Sequence, residues 1–420
     1  MTDPLKLFSE ITCEKIFSYL SVADLLNCSL VNKNYYEFIA KTPSFMRRLK
    51  ISLTLHNTLL SDDFQNLSIL NESQRQYQHF ESFNLSIDFN SVYVLRKKLK
   101  SIKMRRVLLH DESELKIFFS GIEETIEELI LERYIDNLEL KVSDNPAISC
   151  SFPKLKHLEL HYIPNFIFKY FTTCKNLTEL KITGKRDVNF YNILRHNPQL
   201  KKLAIVTDEI DNYFDEDVTK FIQCKLTYFE ARDIYNLTAR CIENFELLLE
   251  KQINYLEEID LGDWIAVDIV KMIFHMPRLK KLTFKGFHNV EEHVRMNEID
   301  FHRSQSITTL NLIDTFSKPA ILQAFIQACP NVTRLKLYSL KKESLSYLTQ
   351  ALPNLQVLSV DLLEIKEFNN ECDFVYLKEF KMKVYHRGLQ FSEALNNNFE
   401  NLVKKEVESL ENMNKVTFVN

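Results

Sequence analysis

The sequence predicts a curved α/β solenoid with parallel strands on its concave face, preceded by a small all-helical module. Two observations support this fold class. From about residue 99 onwards the phrase L-x-x-L-x-L, with some variation, returns at intervals of 22 to 30 residues, which is the spacing of a stacked repeat. Before that, residues 7–36 carry short apolar stripes with the spacing of amphipathic helices.

The helical module reads as two short amphipathic helices and the start of a third. Four residues of the first helix fall at i, i+3, i+4 and i+7 and form one apolar stripe: Cys13, Ile16, Phe17 and Leu20. Ser21 then restarts the chain as a predicted N-cap, with Asp24 at the third helical position. A segment this short cannot enclose a core of its own, so it is expected to lean on a neighbouring domain and to leave apolar surface for a partner.

The module resembles an F-box, the motif by which substrate receptors attach to the Skp-type adaptor of cullin–RING ubiquitin ligases. The match comprises Leu7, Glu10 and Ile11, then IFSYL at residues 16–20, DLLNCSLVNK at residues 24–33, and Tyr35 in place of a tryptophan. Three positions depart from the family: Phe8 replaces a proline, Asn32 replaces a cysteine, and one residue around Thr12 is extra. A helical hairpin that only caps a solenoid would show the same stripes and is the alternative interpretation.

The resemblance and the apolar stripes together imply a set of residues that face the adaptor or form the module. These are Leu7, Phe8, Ile11, Ile16, Phe17, Leu20, Leu25, Leu30, Val31 and Tyr35. The sequence does not separate the residues that contact a partner from those that pack inside the module.

The composition is that of a globular protein, with 420 residues of which 45% are hydrophobic and 26% charged. No run of about eighteen uncharged apolar residues predicts a membrane span, and residues 1–10 lack the basic and apolar regions of a secretory signal. The formal net charge of −4 argues against a general nucleic-acid binder. Eight cysteines without a C-x-x-C pair predict reduced thiols, so we expect a cytoplasmic or nuclear protein.

The repeat phrase has ten clear copies and two weaker ones. The clear copies begin at Leu155, Leu177, Leu200, Leu226, Leu256, Leu279, Ile307, Val332, Leu355 and Leu377, and the weaker ones at Leu99 and Ile126. Within each phrase the last two apolar residues alternate with polar ones, which is the period of a short strand with one buried face. The chain resembles leucine-rich-repeat proteins over roughly 280 residues, which implies parallel strands stacked along a solenoid.

Helices are predicted between these strands. Residues 266–276, 318–329 and 342–352 have helical apolar spacing. A proline stands two residues before four of the strand phrases, where it can end a helix: Pro198, Pro277, Pro330 and Pro353. Cys174 and Cys329 precede their phrases by three residues, in a slot for a small buried side chain, and we interpret them as structural.

The two ends of the solenoid are predicted to be atypical. Residues 47–55 and 79–89 look like strands with a helix and a polar loop between them, and residues 400–420 predict a last helix and a closing strand. The predicted domains are a helical module at residues 1–48, capping repeats at 49–98 and the regular solenoid at 99–420. Because no Pro, Gly or Ser-rich linker separates them, we expect a rigid connection.

Catalysis and metal binding are not predicted. The five glycines form neither of the usual phosphate-binding motifs, and no serine, histidine and acid grouping stands out, so we expect no enzyme activity and no cofactor. His157, Glu159 and His161 alternate along one strand and therefore point to the same side. Their residue types would suit zinc, but a fourth ligand is missing and we interpret them as polar residues on a solvated face, with no bound metal.

The concave face is predicted to carry an uneven charge. In the first five clear repeats the inward positions hold three positive and five negative residues, a sum of −2, whereas the last five hold six positive and two negative, a sum of +4. The hypothesis is that the later repeats bind an acidic or phosphorylated segment. The candidate substrate-binding residues are Lys281, Lys285, Arg334, Lys336, Tyr338, Lys381 and Lys383.

Two functions stay open from the sequence. The favoured one is a non-catalytic substrate-recognition subunit of an SCF-type E3 ubiquitin ligase complex, which binds the Skp-type adaptor through the F-box and a target protein through the repeats, for proteasomal degradation. The alternative is a leucine-rich-repeat interaction scaffold without a ubiquitin role.

Overall fold

The computed structural model describes part of the chain in detail. The described residues are 5, 8–46, 48–54, 78–83, 99–107, 112–133, 151–184, 188–206, 220–232, 239–262, 267–285, 301–313, 319–341, 347–348, 350–364, 379–383 and 415–419. Two compact units are present, Met1–Leu200 and Lys201–Asn420.

The first unit begins with four short helices. These are α1 (Glu10–Ser18), α2 (Val22–Val31), α3 (Lys33–Lys41) and α4 (Pro43–Met46). The two helices and the start of a third that the sequence predicts are therefore present as α1 to α3, and α4 adds one more turn before the first strand. Three polar residues precede α1, α2 and α3 in extended conformation and cap their first turns: Ser9, Ser21 and Asn32.

Six parallel strands follow in the first unit and pair in chain order. They are β1 (Lys50–Thr54), β2 (His79–Phe83), β3 (Ser101–Val107), β4 (Glu128–Arg133), β5 (His157–His161) and β6 (Glu179–Thr183). The connecting elements include α5 (Glu112–Ile122), a 3-10 helix (Asn165–Phe171) and α6 (Val188–His196). β1 and β2 lie within the two strand segments that the sequence predicts for the capping repeats; the helix predicted between them lies outside the described residues.

The second unit carries nine more strands, again parallel and paired in chain order. They are β7 (Lys202–Val206), β8 (Tyr228–Arg232), β9 (Glu258–Leu261), β10 (Lys281–Phe284), β11 (Thr309–Leu312), β12 (Arg334–Lys341), β13 (Val357–Glu364), β14 (Glu379–Lys383) and β15 (Lys415–Val419). The described helices of this unit are α7 (Ala239–Gln252), α8 (Val267–Phe274) and α9 (Pro319–Ala328). α8 and α9 fall where the sequence predicts helices.

Buried and partly exposed residues alternate along β2, β5 and β11, whereas in β7 to β10 the middle residue of the polar side is buried as well. In β5, Leu158 and Leu160 are fully buried, whereas His157, Glu159 and His161 between them are partly exposed. We call the side of each unit's strands that carries these alternating polar residues the open face. Because parallel register places equivalent residues side by side, the leucine-type positions of neighbouring strands form continuous buried rows.

The turns between helix and strand are closed by buried polar side chains. Asn197 accepts a hydrogen bond from the backbone N–H of Cys174 at 3.2 Å, and Gln252 accepts one from Leu226 at 2.9 Å. Both side chains are almost fully buried, so these bonds satisfy backbone groups that water cannot reach. None of the described helices is long and apolar enough to cross a membrane.

Candidate docking surfaces

The helical module is folded around its own small core, so the expectation that a segment this short cannot enclose a core is wrong. The buried members are Phe17, Leu25, Ile39, Phe45, Met46 and Leu49, and Leu5, Leu20, Cys28, Tyr35 and Phe38 pack against them. Four aromatic rings meet in this core with centroid distances of 5.5 to 6.1 Å. Phe45, Met46 and Leu49 follow α3, so the segment that leads to β1 completes the core of the module.

The capping contacts explain how so few residues hold three helices. The Ser21 hydroxyl accepts a hydrogen bond from the Asp24 N–H at 3.1 Å and donates one to the Asp24 carboxylate at 2.7 Å, which confirms the predicted cap. Asn32, which departs from the F-box pattern, accepts a bond from the Tyr35 N–H at 3.0 Å. An asparagine at this position therefore caps α3 where α2 ends.

A set of large apolar side chains is left on the surface of α1 and α2. Ile11 is 80% exposed, Tyr19 81%, Leu30 81% and Val31 68%. Phe8, Ile16, Val22 and Leu26 are also exposed. We call these eight residues the docking surface. Single exposed apolar side chains are common in proteins, whereas eight within 24 residues of one small module are the pattern typical of an interaction surface.

The structure divides the predicted adaptor-facing set into two groups. Phe8, Ile11, Ile16, Leu30 and Val31 belong to the docking surface. Phe17 and Leu25 are buried, and Leu20 and Tyr35 pack against the module's core. Leu7 lies outside the described residues. Sequence reasoning did not include Tyr19, Val22 and Leu26; Tyr19 and Val22 flank the turn between the two helices.

The predicted basic residues of the second unit come together on its open face. Lys281 begins β10, and Arg334, Lys336 and Tyr338 alternate along β12. Thr309 of β11 is in register with both Lys281 and Arg334, so these two positions are separated by two strand spacings, about 10 Å. Lys285 directly follows β10. Lys381 and Lys383 are on β14, but their side chains lie outside the described part.

Two of these lysines are paired with acids on a neighbouring strand. Nζ of Lys281 lies 3.0 Å from Oε2 of Glu258 on β9, and Nζ of Lys336 lies 3.3 Å from Oδ2 of Asp361 on β13. Arg334 is exposed and has no ion pair with any residue in the described ranges. The positive charge of this face is therefore less than the residue count suggests, and Arg334 is the most available cation among the side chains that the structure describes.

A second charged cluster on the same open face is largely buried. The Tyr228 hydroxyl donates a hydrogen bond to Oε2 of Glu230 at 2.6 Å, and Nε of Arg232 lies 2.9 Å from Oε1 of Glu230 and 3.2 Å from Oδ1 of Asp260. A further guanidinium nitrogen pairs with Asp260. Glu230 is 5% exposed and Asp260 9%. Arg232 is thus the shared counter-ion of two buried carboxylates.

The His157, Glu159 and His161 strand forms a closed polar network. Nδ1 of His157 lies 2.9 Å from Oε2 of Glu179 on β6, and its Nε2 lies 2.9 Å from Oε1 of Glu159. Nε2 of His161 lies 3.1 Å from Oε2 of Glu159. Ionised carboxylates only accept hydrogen bonds, so a carboxylate at each ring nitrogen favours the imidazolium form of His157, in which both nitrogens donate. Across the described ranges, no three His, Cys, Asp or Glu side chains are grouped as a metal ion would need.

This network predicts a pH dependence of stability for the first unit. Burial lowers the pKa of His157, but its bonds to Glu159 and Glu179 outweigh that effect and raise the pKa above 6.5. Hydrogen bonds from His157 and His161 hold the pKa of Glu159 far below 4.5. The contribution of His157 is therefore complete below pH 6.5 and lost as pH rises through its higher folded-state pKa, whereas that of Glu159 is complete above pH 4.5 and lost in acid.

We expect His157→Gln to cost about 1 kcal/mol at pH 6 and to flatten the decline in stability that the wild type shows in mildly alkaline buffer. Urea unfolding of both proteins across that pH range measures this. His196→Gln, which changes an exposed histidine of the same unit, is the matched control and should keep the wild-type profile. Identical pH profiles for wild type and His157→Gln would contradict the imidazolium assignment.

The described cysteines fit a structural role. Cys174 and Cys329 are fully buried at the turn before a strand, as the sequence predicts. Burial raises the pKa of the Cys174 thiol to about 12 and that of Cys224 to about 11. Thiols that stay protonated at neutral pH are poor nucleophiles.

Comparison with known proteins supports the assignment of the N-terminal module. Residues 12–52 match the F-box-like family model. Among solved structures, a leucine-rich-repeat protein from Leptospira interrogans aligns over 92% of both chains at 13% identity with a TM-score of 0.34. At that score the repeat architecture rests on the strands and their register rather than on this likeness. No curated protein matches the chain.

The repeats are identified by the strands themselves. The sequence contains twelve repeat phrases, and each of the strands β3 to β14 begins two residues after the first residue of one phrase. Each pairs in parallel with the next strand of its unit, and helices occupy several of the connections. The chain therefore has a segment similar to the F-box-like family at residues 12–52, followed by parallel strands at the spacing of leucine-rich repeats.

Proposed function

We propose that this protein is the substrate-recognition subunit of an SCF-type E3 ubiquitin ligase complex. In this role its F-box-like helices bind the Skp-type adaptor and its repeats hold a target protein for ubiquitin-dependent degradation. The observation that carries the proposal is the docking surface on α1 and α2. Its eight apolar side chains are exposed on a module that already has a packed core, so they are not needed to hold the module together.

The proposed mechanism is proximity. A receptor of this kind raises the effective concentration of a target lysine near the ubiquitin-loaded enzyme. The chain then supplies binding energy and geometry and no chemistry, which is consistent with protonated thiols at Cys174 and Cys224. The proposed compartments are the cytoplasm and the nucleus, where cysteines remain reduced.

Direct binding to a Skp-type adaptor tests the proposal. We expect the purified full-length chain to form a stable complex with purified adaptor in size-exclusion chromatography, and calorimetry gives the Kd. The adaptor bound to its cullin should join the same complex. If neither adaptor nor adaptor–cullin is retained, the proposal is wrong and the leucine-rich-repeat scaffold without a ubiquitin role takes its place.

For the target we propose an acidic or phosphorylated segment bound on the open face of β10 to β12. Arg334 is the central cation, with Lys336 and Tyr338 along the same strand and Thr309 beside it. Lys281 and Lys336 are partly exposed and held in ion pairs of the kind that contribute only about 0–1 kcal/mol. An incoming phosphate can therefore compete for them at small cost, and Arg334 offers two parallel N–H donors.

Charge reversal at Arg334 tests the target proposal. We expect Arg334→Glu combined with Lys336→Gln to abolish recovery of phosphatase-sensitive partners in affinity purification and to leave adaptor recovery unchanged. Glutamine is preferred at position 336 because a glutamate would face Asp361, whose side chain is 13% exposed. Lys181→Glu and Lys202→Glu are the controls and should have little effect. The proposal would be contradicted if the controls lost as much partner recovery as the variant at Arg334 and Lys336. Undiminished partner recovery by that variant would contradict it as well.

A further inference from the structure

The segment that leads from the helical module into β1 is tied to the end of α1 by one side chain. Nη1 of Arg48 donates a hydrogen bond to the carbonyl oxygen of Ser18 at 3.2 Å, and Nη2 donates one to the carbonyl oxygen of Leu20. These carbonyls lie at the end of the helix, where no intrahelical N–H remains to bond them. The positive charge of Arg48 at this C-terminal end also interacts favourably with the negative end of the helix dipole.

A second polar contact joins the same two segments. The Ser44 hydroxyl in α4 donates a hydrogen bond to Oε1 of Glu14 in α1 at 2.5 Å. Phe45 and Leu49, on either side of Arg48, pack in the core of the module with Phe17 of α1. Only Leu49 separates Arg48 from the first residue of β1.

The apolar and polar contacts of this joint do different things. Apolar packing between Phe17, Phe45 and Leu49 holds α1 close, but it depends less strongly on the angle of α1 than hydrogen bonds do. Hydrogen bonds are directional and fix that angle. Tyr19 lies between the two carbonyl groups in the chain and is part of the docking surface. A partner that binds there acts on the very turn that Arg48 holds.

We infer that Arg48 is a positioning residue that sets the direction of the docking helices relative to β1. The inference rests on the proposed function, since direction matters only when the module carries a partner. The two bonds come from two different guanidinium nitrogens, and the single Nζ of a lysine cannot reproduce that rigid fork. Arg48→Lys should therefore still position the docking helices in part, whereas Arg48→Met should not position them.

The experiment measures the direction of α1 and the affinity for the adaptor separately, in the full-length chain. Spin labels are introduced through unnatural amino acids at Lys15 on α1 and at Lys154 before β5, two exposed positions of the same unit. The distance distribution between the labels is recorded by pulsed electron resonance, with and without adaptor. Amide hydrogen exchange is followed over residues 18–21. Arg105→Met, which removes an exposed arginine of β3, is the matched control.

We expect Arg48→Met to broaden the distance distribution and to raise amide exchange in residues 18–21 by about tenfold. The adaptor Kd should stay within about threefold of wild type, because no docking side chain changes. For both the distance distribution and the amide exchange, Arg48→Lys should give values between those of wild type and Arg48→Met. Arg105→Met should match the wild type. A distribution as narrow as wild type in Arg48→Met, or loss of the folded module in both Arg48 variants, would overturn the inference.

The two proposals can fail separately. Absence of adaptor binding by the wild type would remove the proposed function, yet the distance distribution of the free chain would still report on Arg48. Conversely, tight adaptor binding with an unchanged distribution would leave the function standing and reject the role of Arg48.

Discussion

Replacing Arg232 by methionine is expected to destabilise the second unit by about 3–5 kcal/mol. The guanidinium is the shared counter-ion of Glu230 and Asp260, whose side chains are only 6% and 13% exposed. Methionine has a similar length but no charge, so it leaves two negative groups close together and out of water. The measurement is the urea midpoint of the full-length protein, followed by amide exchange in β8 and β9.

The pH profile distinguishes this mechanism from a simple packing loss. Without Arg232, the two carboxylates hold protons more strongly in the folded chain than in the unfolded one, so the deficit should grow from about pH 5 to about pH 8. Adding Glu230→Gln to Arg232→Met should recover part of the stability. Arg278→Met, at an exposed arginine of the same unit, should change the midpoint little. A deficit that does not vary with pH would rule out the two-carboxylate explanation.

Leu30→Asp is expected to weaken adaptor binding at least 100-fold while the helical module stays folded. Leu30 is 81% exposed on α2, so a carboxylate there remains in water until a partner covers it. Burial of an unpaired carboxylate in an apolar interface then costs several kcal/mol, and each 1.4 kcal/mol is about a factor of ten in Kd. Titration calorimetry with purified adaptor measures the loss, and circular dichroism confirms the helices.

The choice of position decides what this experiment reports. Leu20→Asp or Leu25→Asp would also remove binding, but both side chains belong to the packing of the module's core, so the loss would report unfolding. Leu247→Asp is the control, because Leu247 is an exposed leucine on α7 of the second unit and is not part of the docking surface. If Leu30→Asp binds the adaptor with wild-type affinity, the docking surface is wrongly placed.

The strands could be predicted from the sequence because one local pattern determines them. A strand of four to eight residues with one buried face needs only alternating apolar positions and an apolar residue at the preceding turn. All the phrases carry this information, including the weak copies at Leu99 and Ile126, which give β3 and β4. Capping is equally local, which is why Ser21 could be identified as an N-cap.

The docking surface could be predicted only in part. Helical periodicity shows which residues share an apolar face, but the helices of this module have apolar residues on two sides, one for the core and one for a partner. Ile16 and Phe17 are neighbours in one predicted stripe, and the structure buries Phe17 and exposes Ile16. Tyr19 does not belong to the predicted stripe, so the apolar pattern does not identify it as a docking residue. Only the positions of Phe45 and Leu49, distant in sequence, determine which side is filled.

The charge distribution on the open face could also be predicted only in part. A residue count gives the sum for each group of repeats, but it does not show which acids lie beside which bases. Register places Glu258 next to Lys281 and brings Asp361 within reach of Lys336. The effective cation is therefore Arg334, which a count cannot single out.

The parallel register has a consequence for how such a chain can change over generations. β8 and β9 pair residue by residue with Glu258 standing 30 positions after Tyr228, and β5 and β6 do so with Glu179 only 22 positions after His157. The additional residues are accommodated outside the strand ladder. Insertions and deletions between strands can therefore accumulate without moving the open-face side chains, and recognition can drift one substitution at a time on a scaffold that tolerates changes in length.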